Sequence, residues 1–118
     1  IVATGHLVWE SLLAAEELEK EGISCEVINI HTIKPLDEEI ILKSVEKTGK
    51  IVTAEEHNYL GGLGESVAGM LSRKRPTPQE FVAVNDTFGE SGTPAELMHK
   101  YEIDAEAVVK AVKRVLAR

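Results

Sequence analysis

Residues 51–66 read IVTAEEHNYLGGLGES, and along this segment the sequence pattern changes from that of a strand to that of the start of a helix. Ile51-Val52-Thr53-Ala54 is short and β-branched, which indicates a buried strand. After the glycines, Val67, Met70 and Leu71 recur at helical spacing. Glycines at such a junction permit positive φ and let backbone N–H groups face outward at the start of the helix. Two interpretations follow: a tight turn that brings the helix close to the sheet, or an anion-binding site at the helix N-terminus.

Strand and helix patterns alternate along the rest of the chain. Short β-branched runs lie at Ile1-Val2-Ala3, at residues 26–30 and at residues 81–84. Patterns of roughly ten to fifteen residues with helical spacing separate these runs. The alternation predicts βαβ units around a mostly parallel sheet, which is the α/β class.

Start and stop signals mark the predicted helices. Asp37 is the predicted N-cap of a helix that ends at Gly49. Asp104 is the predicted N-cap of the last helix, and Thr93-Pro94-Ala95-Glu96 forms a capping box. The apolar positions expected to face the core are Val8, Leu12, Ala15 and Leu18 in the first helix, Ile40, Ile41 and Val45 in the second, and Val108, Val109, Val112, Val115 and Leu116 in the last.

Length and composition exclude several classes of protein. The 118 residues suffice for one domain, and 43% apolar with 28% charged residues is typical of a globular protein rather than a disordered tail. No apolar run exceeds four residues and nothing resembles a signal peptide, so we expect a cytoplasmic protein with no membrane partner. The net charge of −7 disfavours nucleic acid as a partner, and the lone Cys25 excludes an internal disulfide.

Candidate chemistry centres on His57, which follows Glu55 and Glu56. Proton transfer by His57 beside these carboxylates is one interpretation, and a metal held by Glu55 and His57 is another. No third ligand stands at a helical or hairpin spacing, so a hydrogen-bonding histidine is the favoured interpretation. Gly64-Glu65-Ser66 lacks the second glycine of a nucleophile elbow. The residues alone predict a small α/β domain with no complete active site.

Five stretches, taken in order, resemble the C-terminal domain of transketolases. They are Ala3-Thr4-Gly5, residues 30–37 (IHTIKPLD), Thr48-Gly49, Glu55-Glu56-His57-Asn58 with Gly61-Gly62-Leu63-Gly64, and Asp86 with residues 88–92 (FGESG). The resemblance covers essentially the whole chain and is closest to prokaryotic transketolases split into two subunits, where this piece would end the C-terminal subunit. The same domain occurs in 2-oxo-acid dehydrogenase beta subunits and in deoxyxylulose-phosphate synthase, and both stay open as alternatives.

The resemblance implies an enzyme that moves a two-carbon ketol unit between sugar phosphates with thiamine diphosphate and a divalent cation. In that family the cofactor lies between a diphosphate-binding and a pyrimidine-binding domain, and the third domain supports assembly. We therefore assign no catalytic, cofactor-binding or metal-binding residue here and expect the piece to be inactive alone. The implied partners are the pyrimidine-binding domain, the N-terminal subunit of the same enzyme and a second copy in a homodimer.

The resemblance also implies a sheet order. The chain opens on Ile1 without Met, so we expect residues 1–118 to be one domain of a longer protein. The family sheet has five strands with an antiparallel strand at one edge. Without that edge strand, we predict a three-layer α/β/α domain with four parallel strands in the order 2-1-3-4. Such a sheet reverses its winding between its first and third strands, and a crevice opens there at the carboxyl ends.

This topology brings together the loops Thr4-Gly5-His6 and Glu55-Glu56-His57, so His6 is predicted near His57 at a shallow crevice. The candidate crevice or interface residues are His6, Glu55, Glu56, His57, Gly61, Gly62 and Gly64. A rival hypothesis is a free-standing regulatory domain that holds a phosphorylated ligand at the Gly61-Gly62-Leu63-Gly64 helix terminus.

Overall fold

The computed structural model describes residues 1–31, 34–58, 62–84 and 104–118, with the backbone alone for His57, Asn58 and Val84. In chain order, its elements are β1 (Val2–Ala3), α1 (Leu7–Lys20), β2 (Ile28–Asn29), α2 (Glu38–Thr48), β3 (Ile51–Asn58), α3 (Leu63–Lys74), β4 (Gln79–Val84) and α4 (Ala105–Leu116). Strand and helix alternate as the sequence pattern predicts. The predicted capping box at residues 93–96 lies outside the described residues.

The four strands form one sheet in the order β2-β1-β3-β4. Every described pairing is parallel, with Val2 opposite Ile28 on one side and Thr53 on the other, and with Ile51 opposite Gln79. The predicted order 2-1-3-4 is therefore confirmed. The sheet reverses its winding between β1 and β3, and these two strands are hydrogen-bonded neighbours at its centre.

Helices cover both faces of the sheet, because successive residues of a strand point to opposite sides. On one side α1 and α4 pack over a core made of Ala3, Leu7, Ala14, Leu18, Val52, Ala54, Val82, Ala107, Val108, Ala111, Val112 and Val115. On the other side α2 and α3 pack over Val2, Ile28, Ile30, Ile41, Val45, Ile51, Leu63, Val67, Met70 and Leu71. The predicted three-layer α/β/α architecture is confirmed.

The predicted helix boundaries hold for α2 and α4. Asp37 Oδ1 accepts a hydrogen bond from the Ile40 amide at 3.5 Å, and Asp104 Oδ1 accepts one from the Ala107 amide at 3.0 Å. Gly49 ends α2 in the left-handed conformation at φ 74°.

The predicted core face of α1 is right at Leu18 and wrong at Leu12, and Val8 and Ala15 are only partly buried. The buried residues are Leu7, Ser11, Ala14 and Leu18, while Leu12 is 49% exposed. The prediction counted apolar residues only and therefore missed Ser11. Small side chains at this helix face suit its packing against α4, which presents Ala107 and Ala111. Ile40 and Leu116, also predicted to face the core, are exposed as well.

Among the described residues, none of the helices is both long enough and apolar enough to cross a bilayer.

Candidate functional site at the carboxyl ends of the strands

Two consecutive glutamates stand near the carboxyl end of β3, the central strand that neighbours both β1 and β4. Glu55 points to the α3 side together with Thr53, and Glu56 points to the α1 side together with Ala54. Each carboxylate binds backbone amides at the N-terminus of the helix on its own side. The pair thus connects the central strand to helices in both outer layers.

Glu55 is buried, with 1% of its surface exposed. Its Oε1 accepts a hydrogen bond from the Leu63 amide at 2.9 Å, and its Oε2 accepts one from the Gly64 amide at 2.8 Å. The N-cap of α3 is Gly62, which has no side chain to do this. A carboxylate placed against two N-terminal amides gains charge-assisted hydrogen bonds and a favourable interaction with the helix dipole. Glu55 is therefore the capping group of α3.

This contact decides between the two interpretations of the glycine-rich junction. An anion does sit at the α3 N-terminus, but it is the Glu55 carboxylate of the same chain. The Leu63 and Gly64 amides are thus already engaged, which argues against the phosphorylated ligand of the rival hypothesis. Gly61 lies outside the described residues.

Gly64 has a packing role at the same junction. A Cβ atom at Gly64 would lie 2.4 Å from Cδ2 and 2.5 Å from Cε2 of Phe81 on β4. Real Cβ atoms do not approach ring carbons so closely, so a side chain here would push α3 away from the sheet. The structure therefore supports the tight-turn interpretation, in which glycine lets the helix pack closely on the strand.

Glu56 acts on the other face of the sheet. Its Oε1 accepts a hydrogen bond from the His6 amide at 2.6 Å, at the N-cap of α1, where no side chain of the helix itself makes a capping bond. Gly5 adopts φ +58°, and a Cβ there would lie 2.8 Å from the same Glu56 oxygen. Glycine is required at position 5 both for its left-handed backbone and for the space that the carboxylate occupies.

A third glutamate joins α1 to α4. Glu10 Oε1 lies 3.5 Å from His6 Nε2, and Glu10 Oε2 accepts a hydrogen bond from the Ala105 amide at 3.0 Å. With Asp104, Glu10 gives α4 a second carboxylate at its N-terminus. All four described helices therefore have a carboxylate at their N-termini.

The two loops meet as predicted: the Glu56 carboxylate accepts the hydrogen bond from the His6 amide and lies next to Gly5. The predicted proximity of His6 to His57 stays a prediction, because the His57 side chain is outside the described part of the structure.

Two residues that contribute to this site were missed by the sequence analysis. Glu10 reaches an amide 95 residues away, and no local pattern signals that contact.

Gln79 is the second missed residue. Its Nε2 donates to Thr53 Oγ1 at 3.1 Å and to the Gly64 carbonyl oxygen at 3.0 Å, which ties the start of β4 to α3. The two polar residues Gln79 and Glu80 before the apolar run Phe81–Val84 were the available signal.

The described residues do not supply a site for the divalent cation that the family resemblance implies. In the described ranges, no group of three or more His, Cys, Asp or Glu side chains is arranged to hold a metal ion. Both Glu55 oxygens accept hydrogen bonds from backbone amides, so in the described contacts this carboxylate serves the start of α3.

A cavity of about 200 Å³ lies at the opposite, amino end of the sheet, lined in part by Ile1, Cys25, Ser44 and Lys50. Burial raises the pKa of the Cys25 thiol above its usual value, so at neutral pH the thiol is protonated and poorly nucleophilic. This cavity does not resemble a nucleophile site.

The fold and the site define the class of this chain. It is a three-layer α/β/α domain with a parallel sheet in the order β2-β1-β3-β4, and its crevice carboxylates bind helices of the same domain. The chain belongs to the family described as "Transketolase, C-terminal domain", whose model matches residues 1–108. The family resemblance noted in the sequence is thus confirmed.

Two individual members of this family are similar to the chain over nearly all of its length. The chain is 48% identical over 118 residues to the 6-deoxy-6-sulfo-D-fructose transketolase subunit SqwH of Clostridium sp. (strain MSTE9), covering 100% of this chain and 37% of that relative. It is 42% identical over 113 residues to a putative transketolase C-terminal section of Methanocaldococcus jannaschii, covering 95% of this chain and 35% of that section.

A solved structure gives the same picture. A chain titled "Split gene transketolase, inactive beta4 tetramer" superposes with a TM-score of 0.95 at 46% identity, covering 98% of this chain and 38% of that one. The present chain therefore spans little more than a third of these relatives. Human transketolase is 39% identical over 119 residues, and the match covers 19% of its length.

Proposed function

We propose that this chain is the C-terminal structural and assembly domain of a transketolase, an enzyme that transfers a two-carbon ketol unit between sugar phosphates. One observation carries the proposal: Glu55, Glu56 and Glu10, the carboxylates at the crevice, each bind a backbone amide at the start of a helix of the same domain. Carboxylates held in this way stabilise the starts of helices α1, α3 and α4, which supports a structural role for the crevice.

The similar proteins support a transketolase in preference to the two other enzymes that carry this domain. The relatives named above are transketolases, a transketolase subunit or a transketolase section. We therefore rank a 2-oxo-acid dehydrogenase beta subunit and deoxyxylulose-phosphate synthase below transketolase as candidate functions.

In the proposed enzyme, thiamine diphosphate with a divalent cation supplies the electron sink for ketol transfer, and both bind outside this domain. The residues of this chain hold their helices in place and present outer surfaces to other parts of the enzyme. We infer that those parts are a pyrimidine-binding domain, an N-terminal subunit and a second copy of the enzyme, in the cytoplasm. One relative is named as a subunit and another as a section, and the similar solved structure is an inactive tetramer. These descriptions support an assembly of several parts.

The test is an assay of ketol transfer with the 118-residue chain alone and with the longer enzyme that carries it. The donors are a sugar phosphate and 6-deoxy-6-sulfo-D-fructose, because one relative is named for the second compound. We expect a folded chain, as judged by circular dichroism, with no transfer, and transfer by the longer enzyme. Transfer by the chain alone would contradict the proposal, as would decarboxylation of a 2-oxo acid by the longer enzyme in place of transfer.

A further inference from the structure

A groove of about 360 Å³ lies between α3 and the segment that leads from β2 into α2. One face of α3 forms its first wall, with the residues Glu65, Ser66, Gly69, Met70 and Arg73. The second wall consists of Lys34, Pro35, Leu36 and Glu38. The volume lies within the range of small-molecule sites in proteins. The groove is therefore a third concave surface, besides the crevice and the cavity at the amino end of the sheet.

Gly69 forms part of the groove, and the packing of the domain gives no reason for a glycine there. The residue lies inside α3, where glycine costs about 1 kcal/mol relative to alanine. A Cβ atom at Gly69 would meet Arg73 Nη1 at 3.5 Å, which is an ordinary contact. Gly64, by contrast, is required by the Phe81 ring. What the missing side chain of Gly69 does provide is open space on this face of α3.

Two cations border the groove. Lys34 and Arg73 are exposed, and neither forms an ion pair within the part of the chain that the structure describes. The nearby Glu38 carboxylate accepts a hydrogen bond from Lys74 Nζ, which is the main cause that lowers the pKa of Glu38. The Arg73 charge is the smallest of those causes. The guanidinium of Arg73 and the ammonium of Lys34 therefore keep donors for an anion.

The charge balance at the groove favours an anionic ligand. The chain as a whole carries a net charge of −7. At the groove, however, the cations Lys34, Arg73 and Lys74 outnumber the carboxylates Glu38 and Glu65. Lysine and arginine side chains that lie at one groove suit the several oxygens of a phosphate group, because hydrogen bonds between charged groups are the strong ones.

The uncharged part of the lining indicates what the anion is attached to. The Ser66 hydroxyl can both donate and accept hydrogen bonds, and a carboxylate such as that of Glu65 has about four acceptor positions. Both groups suit the hydroxyl groups of a ligand. Apolar surface for its C–H groups comes from Pro35, Leu36 and Met70. The lining thus fits a short hydroxylated carbon chain that carries a phosphate.

We propose that this groove is a binding site for a phosphorylated polyol. The phosphate binds Lys34 and Arg73, and the polyol lies in the space beside Gly69. This inference goes beyond the proposed function and does not depend on it, because every group that forms the groove belongs to this chain.

The first experiment titrates the 118-residue chain with glycerol 3-phosphate, with inorganic phosphate and with glycerol, and follows the backbone amides by NMR. We expect saturable binding of glycerol 3-phosphate with the largest shifts near Lys34, Gly69 and Arg73. Inorganic phosphate should bind at least about tenfold more weakly, and glycerol should not bind. Lack of saturation by about 10 mM glycerol 3-phosphate would overturn the site. Equal affinity for inorganic phosphate would overturn the polyol as the ligand class.

The second experiment removes one cation at a time. Lys34→Gln and Arg73→Gln should each weaken the binding of glycerol 3-phosphate at least about tenfold. The matched control is Arg75→Gln, since Arg75 is an exposed cation near Arg73 that does not line the groove. This control should change the affinity by less than about twofold. Equal weakening by all three substitutions would indicate a diffuse effect of charge and contradict a defined site.

The third experiment fills the groove and keeps every charge. Gly69→Leu should abolish the binding of glycerol 3-phosphate, whereas the smaller side chain of Gly69→Ala should weaken it less. Thermal unfolding shows which variants are folded, and the two glutamine variants decide the question if Gly69→Leu is not. Parent affinity in folded Gly69→Leu would refute the site. Failure of the site in these titrations leaves the proposed function intact, because the ketol-transfer assay tests that function separately.

Discussion

Glu55 and Glu56 are adjacent in sequence, yet their carboxylates serve helices on opposite faces of the sheet. The two-residue period of a strand accounts for this directly, because neighbouring side chains point to opposite sides. Glu55 binds the Leu63 and Gly64 amides, and Glu56 binds the His6 amide. At the scale of single residues, two glutamates that the sequence placed beside the candidate His57 bind helix N-termini in the structure.

The substitution Glu55→Gln tests the buried cap. A glutamine presents one oxygen and one NH₂ group, so at most one of the two amides keeps an acceptor and the charge assistance is lost. We expect a loss of about 2 kcal/mol in the free energy of unfolding, measured by urea titration. The exposed Glu16→Gln serves as control and should change stability by less than about 0.5 kcal/mol. Equal stability of the two variants would contradict the capping role.

Gly64→Ala tests the close approach of α3 to β4. The added methyl group would overlap the Phe81 ring, so we expect a loss of about 1–3 kcal/mol. The matched control is Gly69→Ala in the same helix, where the nearest atom to a Cβ is Arg73 Nη1 at 3.5 Å. That substitution should gain about 0.5–1 kcal/mol from helix propensity. Urea titration of both variants checks the opposite signs, and two losses of equal size would show that crowding at Phe81 is not the cause.

At the scale of elements, the buried faces of α1 and α4 combine small residues with large ones, and the predicted stripe of α4 is buried at Val108, Val112 and Val115. Ser11 and Ala14 lie on the buried face of α1, and Ala107 and Ala111 lie on the facing side of α4. Glu10 adds a polar contact between the same helices through the Ala105 amide. The rotation that buries Ser11 is the one that exposes Leu12 with Trp9 and Leu13.

Ser11→Ala tests this arrangement. Ser11 is fully buried, and its Oγ has no hydrogen-bond partner among the described residues. Alanine removes the unsatisfied hydroxyl and has the higher helix propensity, so we expect a gain of about 0.5–1 kcal/mol. Ser11→Leu should instead destabilise the chain by about 1–3 kcal/mol because the contact with α4 has no room. Thermal unfolding of both variants measures the difference, and destabilisation by alanine would reveal a partner for the hydroxyl.

At the scale of the whole molecule, the surface ion pairs link stability to pH. Hydrogen bonds from Lys47 and Ser44 lower the pKa of Glu26, and a hydrogen bond from Lys74 lowers the pKa of Glu38, both from 4.5. A carboxyl whose pKa is lowered in the folded state contributes stability above the unfolded value, and that contribution disappears as the pH falls through the folded pKa. Glu26 is exposed and Glu38 is partly exposed, so each effect is small.

We expect the melting temperature of the chain to fall as the pH is lowered from about 6 to about 3. The double variant Glu26→Gln, Glu38→Gln should lose less over this range than the parent chain does, and added salt should narrow the difference. Scanning calorimetry at several pH values measures both trends. An identical pH dependence of parent and variant would exclude these two pairs as contributors.

Much of the fold could be predicted from local patterns. The β-branched runs and the caps at Asp37 and Asp104 placed strands and helices, and the family resemblance supplied the sheet order that the structure confirms. These features depend on neighbours within a turn or a strand, which a single sequence records.

The contacts that define the crevice could not be predicted in the same way. The His6 amide is 50 residues from Glu56, and the Ala105 amide is 95 residues from Glu10. Topology predicted that the loops of His6 and Glu56 would meet, but not that backbone amides would be the partners. The rotation of α1 also escaped prediction, because Ser11 carries no apolar signal.

The most direct test of the account is the turnover number of the longer enzyme with Glu56→Gln. Glu56 is the exposed member of the pair, so this variant should fold and assemble, with a loss of about 0.5–1 kcal/mol in stability from the weakened cap. If the crevice carboxylates only hold helices, kcat per assembled enzyme stays within about twofold of the parent value. A fall of about a hundredfold, some 2.7 kcal/mol, with melting temperature and assembly unchanged, would show that this carboxylate takes part in the reaction.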